Sequence, residues 1–390
     1  GRHLPVLVLG HSLTRLLVWL GFALLAAAVP RATVARERPS LYDAQDGWLD
    51  LSGFLDTAYG FVPLVMPITE PAVGYGALGA LVFIDRNAPV DGHFVRPNIA
   101  AAGGLATQNG TEGVFAAHLG TWRDGRLHTL VGVADADINL EFFGIGDRPG
   151  RTNPGVEYTI AARGGVAGAS YQIARQSVWA GLRYAQVTTD VTLRDGNFES
   201  GEIPAQDQGL RLAALTPSLT LDTRDNFFTP TRGWYVDLSA PLFREALGGD
   251  RDFELLNLSA QYFHPLNSSL YLGARGGAKD SSSGTPFYLR PFVMLRGVQA
   301  LKYQGQQVAE AEAELRWQFH PRLSLVAFGG AGTARSDRGG KTRESTVTAG
   351  GAGFRYLVAR SYGLHMGLDV AWGPDEPVLY VVFGSPWLRP

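Results

Sequence analysis

Residues 307–319 read QVAEAEAELRWQF, and this stretch decides the fold. Glu310, Glu312, Glu314, Arg316 and Gln318 share one parity, while Ala309, Ala311, Ala313, Leu315, Trp317 and Phe319 share the other. Successive side chains of a strand point to opposite faces, so this is a strand with one charged face and one wholly apolar face. Tyr362 to Trp372 repeats the pattern, with Leu364, Met366, Leu368 and Val370 opposite His365, Gly367 and Asp369. Gly233 to Leu242 does so again, with Trp234, Val236, Leu238 and Ala240 against Tyr235, Asp237 and Ser239.

Working outward, period-two runs alternate with turn clusters from about residue 72 to the end, and no window has helical periodicity. The fold class is therefore all-β. Alternation alone suits both a soluble sandwich and a membrane barrel. Three features favour the barrel. The apolar strips end in aromatics (Trp234, Tyr262, Trp317, Phe319, Trp372), as interfacial girdles do. The runs last about 9 to 12 residues, against about 5 or 6 in globular sheets. The third feature is the amino end, where Arg2, His3 and Arg15 precede LLVWLGFALLAAAVP (16–30), and Ala32-Thr33-Val34-Ala35 follows. That order describes a secretory signal peptide, residues 1–35, better than a spanning helix of about 20 apolar residues. No later stretch approaches a membrane helix, so a mature chain that enters a membrane does so as a closed barrel.

Sixteen candidate strands can be counted, among them 72–84, 155–164, 166–175 and 307–318, and an even number suits an outer-membrane barrel. Asn109-Gly110, Asp124-Gly125 and His320-Pro321 make tight connections, whereas Asp195-Gly196 sits in a longer loop, 191–208. The other long connections are 137–154, 280–306 and 333–345. The segment 289–305, LRPFVMLRGVQALKYQG, is too apolar for a solvated loop and is expected to fold back onto something.

Composition narrows the function classes. Over 390 residues, 34 Lys and Arg against 36 Asp and Glu give a net charge of −2, which offers no electrostatic case for nucleic acid. The chain has no cysteine, so disulfides and thiolate chemistry are excluded. The eight histidines show no metal-ligand spacing, and no nucleophile elbow occurs. Gly74-Tyr-Gly76-Ala-Leu-Gly79 mimics a dinucleotide fingerprint but lies in an expected strand with no following helix. We expect no catalytic residue, metal or cofactor, and hence not an enzyme. The row Glu310, Glu312 and Glu314 reads either as a site, a selectivity ring or a seat for Arg296, or as a solvated lumen wall.

Four runs carry a family resemblance: LDTRDNFFTPTRGWYVDLSAPLF (221–243), MLRGVQALKYQG (294–305), AEAELRWQFHPRLSLVAFGGAG (311–332) and AGGAGFRYLVARSYGLHMGLDVAWG (349–373). In order and spacing they resemble the barrel of the BamA/TamA family of outer-membrane proteins, also called bacterial surface antigens. The resemblance implies a sixteen-stranded antiparallel transmembrane β-barrel with a long extracellular loop folded into the lumen. The family's loop motif of aliphatic, Arg, Gly, aromatic maps onto Leu295, Arg296, Gly297 and Val298, with Val298 in the aromatic's place. In some members the arginine meets an aspartate in a Phe-any-Asp-any-Gly strand. Here those positions are Phe328 to Gly332, and the aspartate position is Gly330. The acidic residues on the inward face, Glu312, Glu314 and Asp369, are the candidate partners of Arg296.

The expected division is a signal peptide (1–35), a short periplasmic segment with room for an extra strand (36–71), and the barrel (72–390). Residues 36–71 are too few for the periplasmic POTRA domains of substrate-handling relatives, so the chain reads as a barrel-only member. The implied function, in the bacterial outer membrane, is to assist assembly, insertion or translocation of other molecules. A passive pore or structural barrel is the alternative. Outer-membrane lipid and lipopolysaccharide, and a separate periplasmic protein, are the expected partners.

Overall fold

The computed structural model describes residues 40–57, 60–85, 87, 96–143, 155–174, 177–193, 207–338 and 341–387. The expected signal peptide and the Asp195-Gly196 turn lie outside the described residues. A short helix, α1 (Ser52–Thr57), precedes the first strand. The strands are β1 (Gly60–Ile68), β2 (Gly76–Asp85), β3 (Asn98–Thr107), β4 (Glu112–Trp122), β5 (Leu127–Phe142) and β6 (Val156–Ala174). Then follow β7 (Val178–Leu193), β8 (Gly209–Asp222), β9 (Gly233–Ser239), β10 (Leu242–Phe243), β11 (Phe253–Pro265) and β12 (Leu270–Ser281). The last five are β13 (Gln307–His320), β14 (Leu323–Arg338), β15 (Lys341–Ala359), β16 (Leu364–Trp372) and β17 (Val378–Phe383). All ladders are antiparallel between neighbours in the chain, and both β9 and β10 pair with β8 and β11. These two segments are one strand interrupted at Ala240-Pro241, where proline has no N–H to give. Seventeen segments thus fill sixteen strand positions in a β-barrel.

The sixteen positions are not the sixteen runs counted from sequence. Residues 155–164 and 166–175 form the single strand β6, because Gly164 and Gly165 stay in register with Ala134 and Val133 of β5. Glycine here serves close strand approach, not a turn: a Cβ on Gly164 would lie 2.3 Å from the Gln186 carbonyl oxygen. The missing member is β1, inside the segment 36–71. Its Pro63 and Pro67 hide it, yet they lie four residues apart, so both absent donors fall on one edge of the strand. That suits an end of the ladder series, where β1 pairs with β2 and, at the other end, β17 pairs with β16.

One rim of the barrel carries short turns, such as 123–126, 266–269, 321–322 and 360–363, and also residues 41–57. The other rim carries the longest connections, including 282–306. Short and long connections on opposite rims are characteristic of outer-membrane barrels. In β13 the charged face is inward and buried, while Leu315, Trp317 and Phe319 are 40, 51 and 46% exposed on the outside. Register carries this outer strip onward through Leu325 and Phe354 to Leu368. Polar inside and apolar outside is the inverse of a soluble sandwich. Among the described residues no helix is long and apolar enough to cross a membrane.

The lumen is occupied by the connection 282–306. Phe287 and Tyr288, in a single 3-10 turn, pack on inward-facing Phe142, Tyr158, Val191, Leu210 and Leu212. Farther along, Val293, Leu295, Val298 and Tyr303 pack on Val308, Ala334 and Val347 of β13 to β15. The loop thus bridges opposite inner walls.

Candidate functional site

The loop turns back on itself through hydrogen bonds from the Val293 amide to the Tyr303 carbonyl and from Gly305 to Pro291, which presents Leu295 to Val298 at its tip. Gly297 has φ +89°, a left-handed conformation that glycine adopts freely, and a Cβ there would meet the Ala371 methyl at 3.2 Å. Its amide donates to the Tyr380 hydroxyl at 3.1 Å. Arg296 projects into the inner wall. Its Nε donates to Glu312 Oε1 at 2.7 Å, and its Nη1 donates to Glu314 Oε2 at 2.7 Å and to Asp369 Oδ2 at 2.8 Å. Its guanidinium carbon lies 3.5 Å from the Phe328 ring centre, a close cation–π approach. All three candidate carboxylates are therefore brought to Arg296.

Gly330, which stands where some family members have aspartate, has a different use. A Cβ on Gly330 would sit 2.9 Å from Leu295 Cδ2, and one on Gly332 would sit 2.3 Å from Val293 Cγ1. The glycines of β14 leave the seat into which the loop's aliphatic residues pack, and the negative charge comes from β13 and β16 instead. Val298 is 3% exposed and closes a turn with the Leu295 carbonyl.

The network includes Glu310 of the acid row and several members that sequence reading missed. Arg355 of β15 pairs with Asp369, donating from Nη2 at 2.9 Å. Glu310 accepts the Met294 amide at 2.6 Å and faces Arg275 at 3.4 Å and Lys279 at 3.8 Å. Trp387, beyond the last strand, donates from Nε1 to Glu312 Oε1 at 3.1 Å. It fits over Gly273, where a Cβ would lie 2.8 Å from the indole. Arg355 and Arg275 share the inward parity of Asp369 and Glu312 but were not singled out from the sequence, and nothing in the sequence places Trp387 in the lumen. Asp222, Arg224 and Asp225 form a rim turn: Asp222 pairs with Arg224 at 2.8 Å, and Asp225 accepts the amides of Thr231 and Arg232.

A second network lies at the short-turn rim. Arg322 is fully buried, and its guanidinium donates to Asp43 at 2.6 Å, Asp46 at 2.7 Å and Asp50 at 2.6 Å. Arg360 reinforces it, reaching Asp43 at 3.0 Å and Asp46 at 2.5 Å. Trp48 stacks between His320 and Tyr356, and the Leu51 amide donates to the Val358 carbonyl at 2.7 Å. Residues 41–57 thus form a strap from the start of β1 to the turns after β13 and β15. Burial opposes ionisation of Asp50, but hydrogen bonds from Ser52 and Arg322 outweigh it and hold the carboxyl at about 2. The Arg322 hydrogen bond lowers Asp46 as well, and the aspartates, Asp46 first, raise Arg322.

The sequence matches the Omp85 superfamily domain over residues 135–375, from within β5 to just past β16. Comparison with curated proteins finds no match. Among solved structures, BamA from Haemophilus ducreyi lacking POTRA domains 1-3 is similar at 13% identity and a TM-score of 0.55, covering 88% of this chain and 80% of that one. CdiB from Escherichia coli is similar at 12% identity and 0.57, with 82% and 61% covered, and CdiB from Acinetobacter baumannii at 10% and 0.56, with 83% and 59%. This chain spans about three fifths of each CdiB chain. At such identities the likeness is one of fold. The matched domain covers more than half of the sequence and contains both Arg296 and its three carboxylates: the chain belongs to the Omp85 superfamily.

Proposed function

We propose that this protein resides in the bacterial outer membrane as a non-enzymatic barrel that assists assembly, insertion or translocation of other molecules, with the loop tip as its internal lock. The observation that carries this reading is the seating of Arg296 among Glu312, Glu314 and Asp369, at distances of 2.7 to 2.8 Å. A pore needs an open path, whereas this loop packs against both the β5–β8 wall and the β13–β15 wall. That favours a substrate-handling barrel over a passive pore. The apolar outer strip faces lipid, the long-loop rim faces outward toward lipopolysaccharide, and the short-turn rim with its strap faces a periplasmic partner protein. The test is to place the full chain in liposomes and add an unfolded β-barrel client from the short-turn side. Faster acquisition of heat-modifiable client than in empty liposomes is the expected result. A client rate equal to that of empty liposomes, with steady ion conductance through the chain, would favour the passive pore.

A further inference from the structure

The charged cluster around the loop tip holds five cations, Arg275, Lys279, Arg296, Arg316 and Arg355, and four carboxylates, Glu310, Glu312, Glu314 and Asp369. Four of the cations lie within 4.0 Å of a carboxylate. Arg316 is the exception, having no ion pair among the described residues. It is only 6% exposed, and its Nη1 is buried with no hydrogen-bond partner. Its guanidinium carbon lies 4.7 Å from the Tyr271 ring centre, which holds the group in place without satisfying its N–H donors. A buried cation is strongly disfavoured without a partner of opposite charge.

Arg316 lines a cavity at the short-turn end of the lumen, together with Thr229, Tyr271, Glu314, Arg355 and Ser385. Glu314 is already engaged by Arg296 at 2.7 Å and faces Arg355 at 3.8 Å, and Arg355 is engaged by Asp369. The Thr229 hydroxyl accepts the His365 amide at 3.4 Å, and the Ser385 hydroxyl accepts the Trp387 amide at 3.3 Å. Both hydroxyls keep a proton to donate. The unpartnered Arg316 Nη1 and two hydroxyl donors, around a cavity, suit an acceptor with a negative charge and at least two oxygens.

We propose that this cavity is an oxyanion-binding site, with Arg316 as its charge partner and Thr229 and Ser385 as hydroxyl donors, taking a phosphate or carboxylate group that enters from the short-turn rim. Ser385 and Gly384 follow directly on β17, so an occupied site ties the end of the last strand to β13.

The full chain in neutral detergent is titrated by calorimetry, at fixed ionic strength in chloride, with inorganic phosphate, acetate and the short-chain lipid dihexanoyl phosphatidic acid separately. Saturable binding of at least one, weakened tenfold or more in Arg316→Met and unchanged in Arg211→Met, is expected. Tightest binding of phosphate assigns a free phosphate, of acetate a carboxylate, and of the phosphatidic acid a lipid headgroup. If Arg316→Met does not assemble, the double variant Thr229→Ala, Ser385→Ala carries the same test. No saturation by any of the three, or saturation undiminished in these variants, overturns the proposal.

Discussion

The guanidinium of Arg296 is the charged anchor of a loop that apolar packing also holds. Arg296 faces three carboxylates, and removal of one partner of a buried ion pair costs about 3 to 5 kcal/mol, because the remaining charges stay buried. Arg296→Ala should assemble as a barrel but release the loop, with new trypsin cleavage after Lys302 and a rise in conductance. Arg296→Lys should fall between, since an ammonium cannot copy the fork that reaches Glu312 and Glu314 together. Wild-type protection in Arg296→Ala would remove the lock. Gly330 gives a sharper residue-scale test. Restoring the family aspartate there places a Cβ 2.5 Å from the Ala311 carbonyl oxygen and 2.9 Å from Leu295. Gly330→Asp should therefore expose Lys302 to trypsin as Arg296→Ala does. A loop held more tightly would show that the carboxylate position matters more than the seat for Leu295. The family resemblance of the loop motif singled out Arg296, and parity sorted β13 and β16 cleanly enough to supply its three acids; the sequence could not show that Gly330 is a seat, since an absent side chain is read only against its neighbours.

The strap is the element that sequence reading passed over. Asp43, Asp46 and Asp50 look like a solvated acidic stretch, and only the turn that brings Arg322 beneath them gives them a function. Their partner is 272 to 279 residues away in the chain. Arg322→Ala should free residues 41–57 while β1 to β17 stay paired, seen as chymotrypsin cleavage after Trp48 and Phe54 in folded protein. Resistance equal to wild type would mean that Arg360, the Trp48 ring contacts and the Leu51–Val358 hydrogen bond hold the strap without Arg322. The strap should also be acid-sensitive. Asp50 has a folded value near 2 against about 3.9 when unfolded, a lowered value, so its contribution is complete above pH 4 and is lost as pH falls from there through about 2. That contribution is about 2 kcal/mol. Chymotrypsin is inactive at such pH, so the measurement is hydrogen exchange of the 41–57 amides at pH 2.5 against pH 5. Asp50→Asn should show a smaller difference between the two, and an unchanged difference would assign the acid response to other groups.

Across the whole molecule the two halves of the sheet differ in what their inner faces hold. From β12 to β16 the lumen wall is charged, so period two is strong and the strands can be read. On β1 to β4 the faces that register aligns with inward-pointing Ala136 and Ala162 carry Val62, Leu64, Met66, Leu78, Leu105 and Phe115, while Leu81 and Phe83 point outward. With both faces apolar the alternation is weak, and in β1, with its two prolines, the sequence supported no more than room for an extra strand within 36–71. The environments of the two faces still differ, and β5 offers a test within one strand. Val131 faces out, 53% exposed, midway between the turn 123–126 and the outward ion pair of Asp135 with Arg163 at 2.6 Å. Ala134 faces in. An arginine facing lipid at mid-membrane costs about 2 to 4 kcal/mol, whereas one in the lumen can extend its head into water. Val131→Arg should lower stability by that amount in urea unfolding from vesicles and reduce the heat-modifiable fraction. Ala134→Arg should cost less than about 1 kcal/mol. Equal losses would mean that the lumen beside β5 is as dry as the bilayer, and a greater loss at Ala134 would reverse the faces assigned to β1 through β5.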